Sequence, residues 1–321
     1  MKLLIPVSYF FNQPRSEIWQ LDTETKTKTL EFKLPNNPLP VKGKGITCLS
    51  WLDSETLVGC DFNSVFLVDW TLKKVIKVSQ AADFNDLHHL RVNFQSIVVA
   101  NTGRDRLEIL DNQLRHIDNI DLLSAEEVDT RLNGNYKLTG DYYDSDISHK
   151  PFNQRKVPDK YHVNHVMQDS KLLNNQVIAT SFKRKVLLNA QTLEVVSNEL
   201  PTAPHDGVIY NEFIWVTTVS GQVYRSRNSI PFEFVPFYNL FKHAKFKGWC
   251  RGLLIEGNDM FIAITAVYES SDRTNWLDCS IDNTKSGIYQ IDLTTLEIKH
   301  FFDFSHEDGS RLFSIILNQH A

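Results

Sequence analysis

Arg311-Leu312-Phe313-Ser314-Ile315-Ile316-Leu317 reads as the first strand of a repeat whose second strand never arrives. At the other end of the chain, Leu3-Leu4-Ile5-Pro6-Val7 reads as a second strand without a first. Between these halves a short apolar run ending in an acidic residue and a turn recurs: Ile18-Trp19-Gln20-Leu21-Asp22, Val65-Phe66-Leu67-Val68-Asp69, Leu107-Glu108-Ile109-Leu110-Asp111 and Ile288-Tyr289-Gln290-Ile291-Asp292. Weaker copies stand at Val186-Leu187-Leu188-Asn189 and Val223-Tyr224-Arg225. The runs alternate or are rich in strand formers, and most lead through a turn into another short strand, as in Lys74-Val75-Ile76 and Leu296-Glu297-Ile298.

Upstream of each copy after the first lies another pair of strand-like runs. Examples are Cys48-Leu49-Ser50-Trp51 with Thr56-Leu57-Val58-Gly59, and Leu253-Leu254-Ile255 with Met260-Phe261-Ile262-Ala263. Four strands per repeat of about 40 to 45 residues are the sign of a propeller blade. A β-sandwich shares the cue of many short, evenly spaced strands. Complementary half-repeats at the two termini favour the ring, because joining them removes the exposed edges. The expectation is an all-β, six-bladed β-propeller of four-stranded antiparallel blades. It spans 1–321 as one domain, closes by pairing of N- and C-terminal strands, and carries insertions at about 124–160 and 269–286. Loops of that length are often functional, and the acidic, aromatic set Tyr136, Asp141, Tyr142, Tyr143, Asp144 and Asp146 would suit a lid, a partner contact or a disordered surface loop.

Composition narrows the function. Hydrophobic residues make up 42% and charged residues 23% of the 321, which fits a packed globular chain. The longest apolar runs, at 213–219 and 260–267, fall far short of the roughly 20 residues of a membrane span. The apolar start stops at Ser8 without a small-residue cleavage site and reads as a strand rather than a leader. Cys48, Cys60, Cys250 and Cys279 form no C-x-x-C pair, so a cytoplasmic location is the simplest expectation. With a net charge of −5 and no basic run beyond Lys183-Arg184-Lys185, the footprint of a nucleic-acid binder is missing. No Walker, zincin or serine-hydrolase motif is present.

What stands out is histidine. The entrances to three successive inner strands are Asp86-Leu87-His88-His89-Leu90, His162-Val163-Asn164-His165-Val166 and Pro204-His205-Asp206-Gly207-Val208. These 15 residues hold five of the 11 histidines, where even scatter would place about half of one. Aligning Leu90, Val166, Val208 and Leu253 sets His88, Asn164, Asp206 and Arg251 at one level and His89, His165, Gly207 and Gly252 at the next. Neighbours in a strand face opposite ways, so one level faces inward unless a bulge intervenes.

Three readings stand side by side. In the first, His88, His165 and His205, with Asp206 or Asn164 supplying oxygen, hold a divalent metal of unresolved identity (Fe, Mn, Zn or Ca). In the second, the histidines satisfy backbone groups lining the channel. In the third, His88 or His205 is a general base oriented by Asp206. Arg251 and Arg311 stand at the next two entrances, where a guanidinium fork suits a carboxylate or phosphate or else forms a salt bridge to Asp206 or Asp86. With Asn164 they are the candidate substrate contacts. Cys250 reads as a small buried hydrophobe.

The third-strand "I-x-x-x-D" with its Thr-rich turn resembles six-bladed propellers of the YncE-like and gluconolactonase/strictosidine-synthase-like groups, over the whole chain and without a specific family match. The gluconolactonase-like resemblance implies an axial metal held by glutamate, asparagine and aspartate. Only Asn164 and Asp206 fall at such places, and no glutamate matches. The histidines look more like those of propeller lyases and oxygenases that gather them at the channel mouth. The resulting expectation is a metal-dependent enzyme of lyase, hydrolase or isomerase type acting on a small polar or anionic molecule, with oxygenase chemistry if the metal is iron. The other expectation is a non-catalytic propeller that binds a ligand or a protein partner.

Overall fold

The acidic residue that ends each third strand explains why the repeat is so visible. In the computed structural model, which describes residues 1–41, 43–93, 96–123, 160–169, 173–268 and 280–320, these carboxylates fold back on the next turn. Asp22 Oδ1 accepts the N–H groups of Glu24 and Thr25, Asp111 Oδ1 those of Gln113 and Arg115, and Asp292 Oδ1 those of Thr294 and Thr295. Asn189 does the same for Gln191 and Thr192 in a weaker copy. Such Asx turns are local and therefore legible in sequence. The backbone donors hold Asp292 down to a pKa of about 2.

Six antiparallel sheets result. The first contains β1 (Lys2–Tyr9), β2 (Arg15–Asp22) and β3 (Thr27–Lys33). The second is β4 (Cys48–Trp51) to β7 (Lys74–Ser79), with β5 (Thr56–Cys60) and β6 (Val65–Asp69) between. The third is β8 (Leu87–Val92), β9 (Ile97–Asn101), β10 (Arg106–Leu110) and β11 (His116–Asp121). The fourth holds β12 (Val163–Gln168), β13 (Val177–Ser181) and β14 (Val186–Asn189). The fifth runs β15 (Pro204–Tyr210), β16 (Phe213–Thr218), β17 (Gln222–Arg227) and β18 (Val235–Asn239). The sixth runs β19 (Trp249–Glu256), β20 (Asp259–Thr265), β21 (Gly287–Asp292) and β22 (Ile298–Asp303). In the fourth blade the outer strand is reduced to a bridge, Leu188 to Val195.

The chain ends as β23 (Ser310–Leu312) and β24 (Ile316–Leu317), both antiparallel to β1, with Val7 opposite Leu312 and Leu4 opposite Ile316. The expected single run is therefore split, and the pairing shifts by one residue across Phe313, Ser314 and Ile315.

The cores lie between blades. Six apolar clusters join the first blade to the second, the second to the third and so on around, and the last joins Phe261, Ile288 and Phe302 of the sixth to Leu3, Ile5 and Val7 of the first. The ring explains why middle strands such as β9 and β13 are buried throughout, whereas outer strands such as β7 and β11 hold no buried residue. No helix among the described residues is long and apolar enough to cross a membrane. Residues 124–159 and 269–279, which hold most of both insertions, the Tyr/Asp set and Cys279, lie outside the described residues.

One buried carboxylate sets the entrance to the fourth blade. Asp105, fully buried with φ 50°, accepts the N–H groups of Lys160 (2.6 Å), Tyr161 (3.1 Å) and His162 (2.6 Å). Removing it strands three donors, so Asp105→Ala should cost about 3–5 kcal/mol in chemical denaturation. A loss under about 1 kcal/mol would show that water or the neighbouring chain replaces it.

Candidate functional site: two polar layers on the axis

Inner strands are not regular. The pairing slips between Leu87 and His89 in β8, between Val163 and His165 in β12, between Pro204 and Asp206 in β15, and between Cys250 and Leu253 in β19. The extra residues are His88, Asn164 and His205, and in β19 Arg251 and Gly252 together face the single residue Ala263. A bulge breaks the strict alternation of faces and re-aims side chains. It lets consecutive residues of one strand serve the axis at two heights.

At one height stand His89, His165 and Asp206, whose ligand atoms all lie within 4.8 Å of one another. The His89 and His165 rings sit 3.7 Å apart by centroid, tilted by 40°. His165 Nδ1 is 2.5 Å from Asp206 Oδ1, yet the alignment is too poor for a hydrogen bond and the nitrogen has no other hydrogen-bond partner among the described residues. Asp206 also accepts from Gly207 N through Oδ1 and from Leu253 N through Oδ2, each at 2.8 Å. The Nδ1 lone pair of His89 takes one long hydrogen bond, 3.3 Å, from Val166 N–H. Burial, reinforced by His165, holds the His89 pKa well below its ordinary value, so the imidazole is neutral at pH 7.

These three side chains sit at the inner end of an axial cavity of about 460 Å3. From them its wall follows the inner strands toward Trp51, Val92, Asp169, Ile209 and Leu317, the ends remote from the strand entrances.

The second layer lies at the entrances. His88 Nδ1 donates to the Asp86 carbonyl at 2.8 Å, which leaves its Nε2 lone pair facing the Lys44 ammonium. Lys44 also pairs with the Asp86 carboxylate at 3.0 Å. The His88 ring lies 5.5 Å from that of His162 and 6.0 Å from that of His205. His205 Nε2 stands 3.2 Å from Arg251 Nη1 and accepts from it. The Arg251 guanidinium rests 3.9 Å from the Phe313 ring centroid and 4.5 Å from that of Trp249. Burial first, then the adjacent cation (Lys44 for His88, Arg251 for His205), holds both imidazoles well below their ordinary pKa.

Of the residues named from sequence, His165 and Asp206 thus meet each other, while His88 and His205 share the other layer with Arg251. Asp206 stands beside His165 instead of level with His88 because Gly207, not Val208, occupies the place equivalent to Leu90 and Val166: His89 is opposite Ala100, His165 opposite Thr180, and Asp206 opposite Thr217. Asn164 is buried, and its Oδ1 has no hydrogen-bond partner among the described residues. Arg311 donates to the Gly43 carbonyl at 2.8 Å and covers the Phe10 ring. Cys250 is buried, and burial raises its thiol pKa, as expected of a packing residue rather than a nucleophile. Lys44, inside Gly43-Lys44-Gly45, carried no signal in the sequence. His89 did, through its alignment with His165.

No family model matches the chain, and no curated protein matches it. Solved structures do. A chain in the crystal structure of a nidogen/laminin complex is 11% identical with a TM-score of 0.62, covering 99% of this chain and 100% of its own. The β-propeller domain of Cps50 (Swd1) from Myceliophteria thermophila is 12% identical with a TM-score of 0.51, covering 96% of this chain and 90% of its own. At such identities the likeness concerns the fold alone, a β-propeller, and the six blades are counted from this chain's own sheets.

Proposed function

We propose that the chain is a metal-dependent enzyme for a small polar or anionic substrate, with His89, His165 and Asp206 as the metal ligands. The observation that carries this reading is the convergence of two imidazoles and one carboxylate, from three blades, at the inner end of an axial cavity. Donors bound to one ion at about 2.0–2.2 Å stand about 3–3.5 Å from one another, so the His165–Asp206 pair would part slightly, and any pair near the 4.8 Å limit would close, to complete the set. The nitrogen–oxygen contact at 2.5 Å without a hydrogen bond is one that a shared cation would relieve. The His89 nitrogen gives up only a long hydrogen bond. Two histidines and a carboxylate suit zinc, iron or manganese better than calcium, which prefers oxygen.

A cation held there supplies a Lewis acid facing the cavity and lowers the pKa of a bound water. His88 and His205, neutral in the adjoining layer, turn their Nε2 atoms to Lys44 and Arg251 and hold those two cations behind the ligand set. Lyase, hydrolase and isomerase chemistry all draw on these parts.

A second reading has its own support. The bonds from Val166 N to His89 and from Leu253 N to Asp206 each tie one blade to the next, so the same side chains act as latches in a non-catalytic scaffold. A protein partner belongs to this reading, since one structural neighbour was solved in a protein complex.

Metal content separates the two. Protein expressed without a histidine tag, offered Zn2+, Fe2+ and Mn2+ and then dialysed, should retain about one ion per chain. Asp206→Asn and His165→Ala should lose it while keeping the wild-type circular dichroism. Folded wild-type protein without stoichiometric metal would overturn the enzyme reading in favour of the scaffold.

A further inference from the structure

We propose that Arg91 is the residue that recognises substrate charge in this cavity, and that the ligand class is a small dicarboxylate with one carboxylate on the metal and the other on the Arg91 guanidinium. The inference rests on the metal reading above.

Arg91 follows His89 by two residues on β8, and both line the axial cavity. Residues two apart on a strand share a face and stand about 6.6 Å apart along it. Arg91 is the only lysine or arginine among the residues that line the cavity. It is exposed, and its side chain makes no ion pair or hydrogen bond among the described residues. This is unlike Arg106 and Arg15, which are tied to carboxylates. An arginine already paired would have to exchange a partner for a ligand, and among the described residues Arg91 has none to give up.

Charge points the same way. A divalent ion on one carboxylate and two neutral imidazoles keeps a net charge of about +1, and Arg91 adds another at the far side of the same space. Two positive centres set apart along the cavity complement a molecule with an anionic group at each end, and Asp169 is the one acidic side chain in the lining besides Asp206. The guanidinium fork matches a carboxylate in bidentate fashion. Met167 and Leu254, in the same lining, offer apolar surface to a short carbon chain.

The test is calorimetric titration of the metal-loaded full-length protein with succinate, butyrate and succinamide. Succinate should bind at least tenfold more tightly than butyrate, and succinamide not measurably. Arg91→Gln should weaken succinate at least tenfold, to the level of butyrate, and leave butyrate and metal content unchanged. Arg91→Lys should recover part of the loss. Equal succinate binding by wild type and Arg91→Gln overturns the proposal, as does a wild type that holds its metal yet does not prefer succinate to butyrate. A wild type that holds no metal overturns the metal reading and this proposal with it.

Discussion

A chain ended after Gly309 is expected to show no cooperative unfolding transition and to be digested rapidly by trypsin. The loss removes β23 and β24, the strands that pair with the inner edge of β1. It also removes Leu312, Phe313 and Ile315, which are all buried, Leu312 completely. At about 1.5–3 kcal/mol for each buried side chain, their burial is worth roughly 6 kcal/mol, comparable to the whole net stability of an ordinary domain. Water would also reach the faces of Leu3, Ile5 and Val7, which join the sixth blade to the first. Leu312→Asp, opposite Val7, tests the same seam without shortening the chain, and should lower the urea midpoint strongly. A truncated chain that unfolds cooperatively near the wild-type midpoint would show that β1 holds its place without the C-terminal strands.

The second large effect is acid destabilisation. His88, His89 and His205 have pKa values in the folded chain well below the ordinary 6.5, chiefly through burial. Neighbouring positive groups add to it: Lys44 and His162 beside His88, His165 and Arg91 beside His89, and Arg251 beside His205, with Asp86 opposing at His88. Unfolded, each would take up a proton near pH 6.5. Below that pH the unfolded state binds more protons than the folded state, so stability falls with decreasing pH down to the folded pKa values. Above pH 6.5 these groups contribute no slope. Each contributes about 1.4 kcal/mol per pH unit, so the three give up to about 4 kcal/mol per unit below pH 6.5. Urea titrations with a chelator present, between pH 7.5 and 5, read this slope directly. His205→Gln should reduce it by about a third. A stability that stays flat over that range would contradict the burial of neutral imidazoles on the axis.

The ring was legible because its signals are local. Alternation in strands such as β2 and β21, an aspartate that caps the next turn, and half-repeats at both ends can all be read without knowing any long-range contact. The fourth blade was harder. Its third strand ends in Asn189 instead of aspartate, and its outer strand is only the bridge at Val195, so little periodicity marks it.

The site was half legible. Histidine crowding pointed to the three blades that contribute His89, His165 and Asp206, because composition survives any error of register. Which side chains meet depends on the register itself. The slip between Pro204 and Asp206 places Asp206 beside His165, and one residue of slip turns a whole strand segment over. A bulge leaves no mark in a sequence that is polar on both sides of it, as Pro204-His205-Asp206-Gly207 is. Lys44 and Asp105 escaped notice for a different reason. Each acts at a distance of 40 residues or more along the chain, on His88 and on the 160–162 backbone, where spacing carries no information.

The most direct test of the account is where a metal sits. Crystals of the untagged, metal-loaded protein, measured at the absorption edge of the metal retained, should show one anomalous peak on the axis. The peak is expected about 2.0–2.2 Å from an imidazole nitrogen of His89, one of His165 and a carboxylate oxygen of Asp206. A peak between His88 and His205 instead, or a channel with no peak in crystals soaked in that metal, would contradict it.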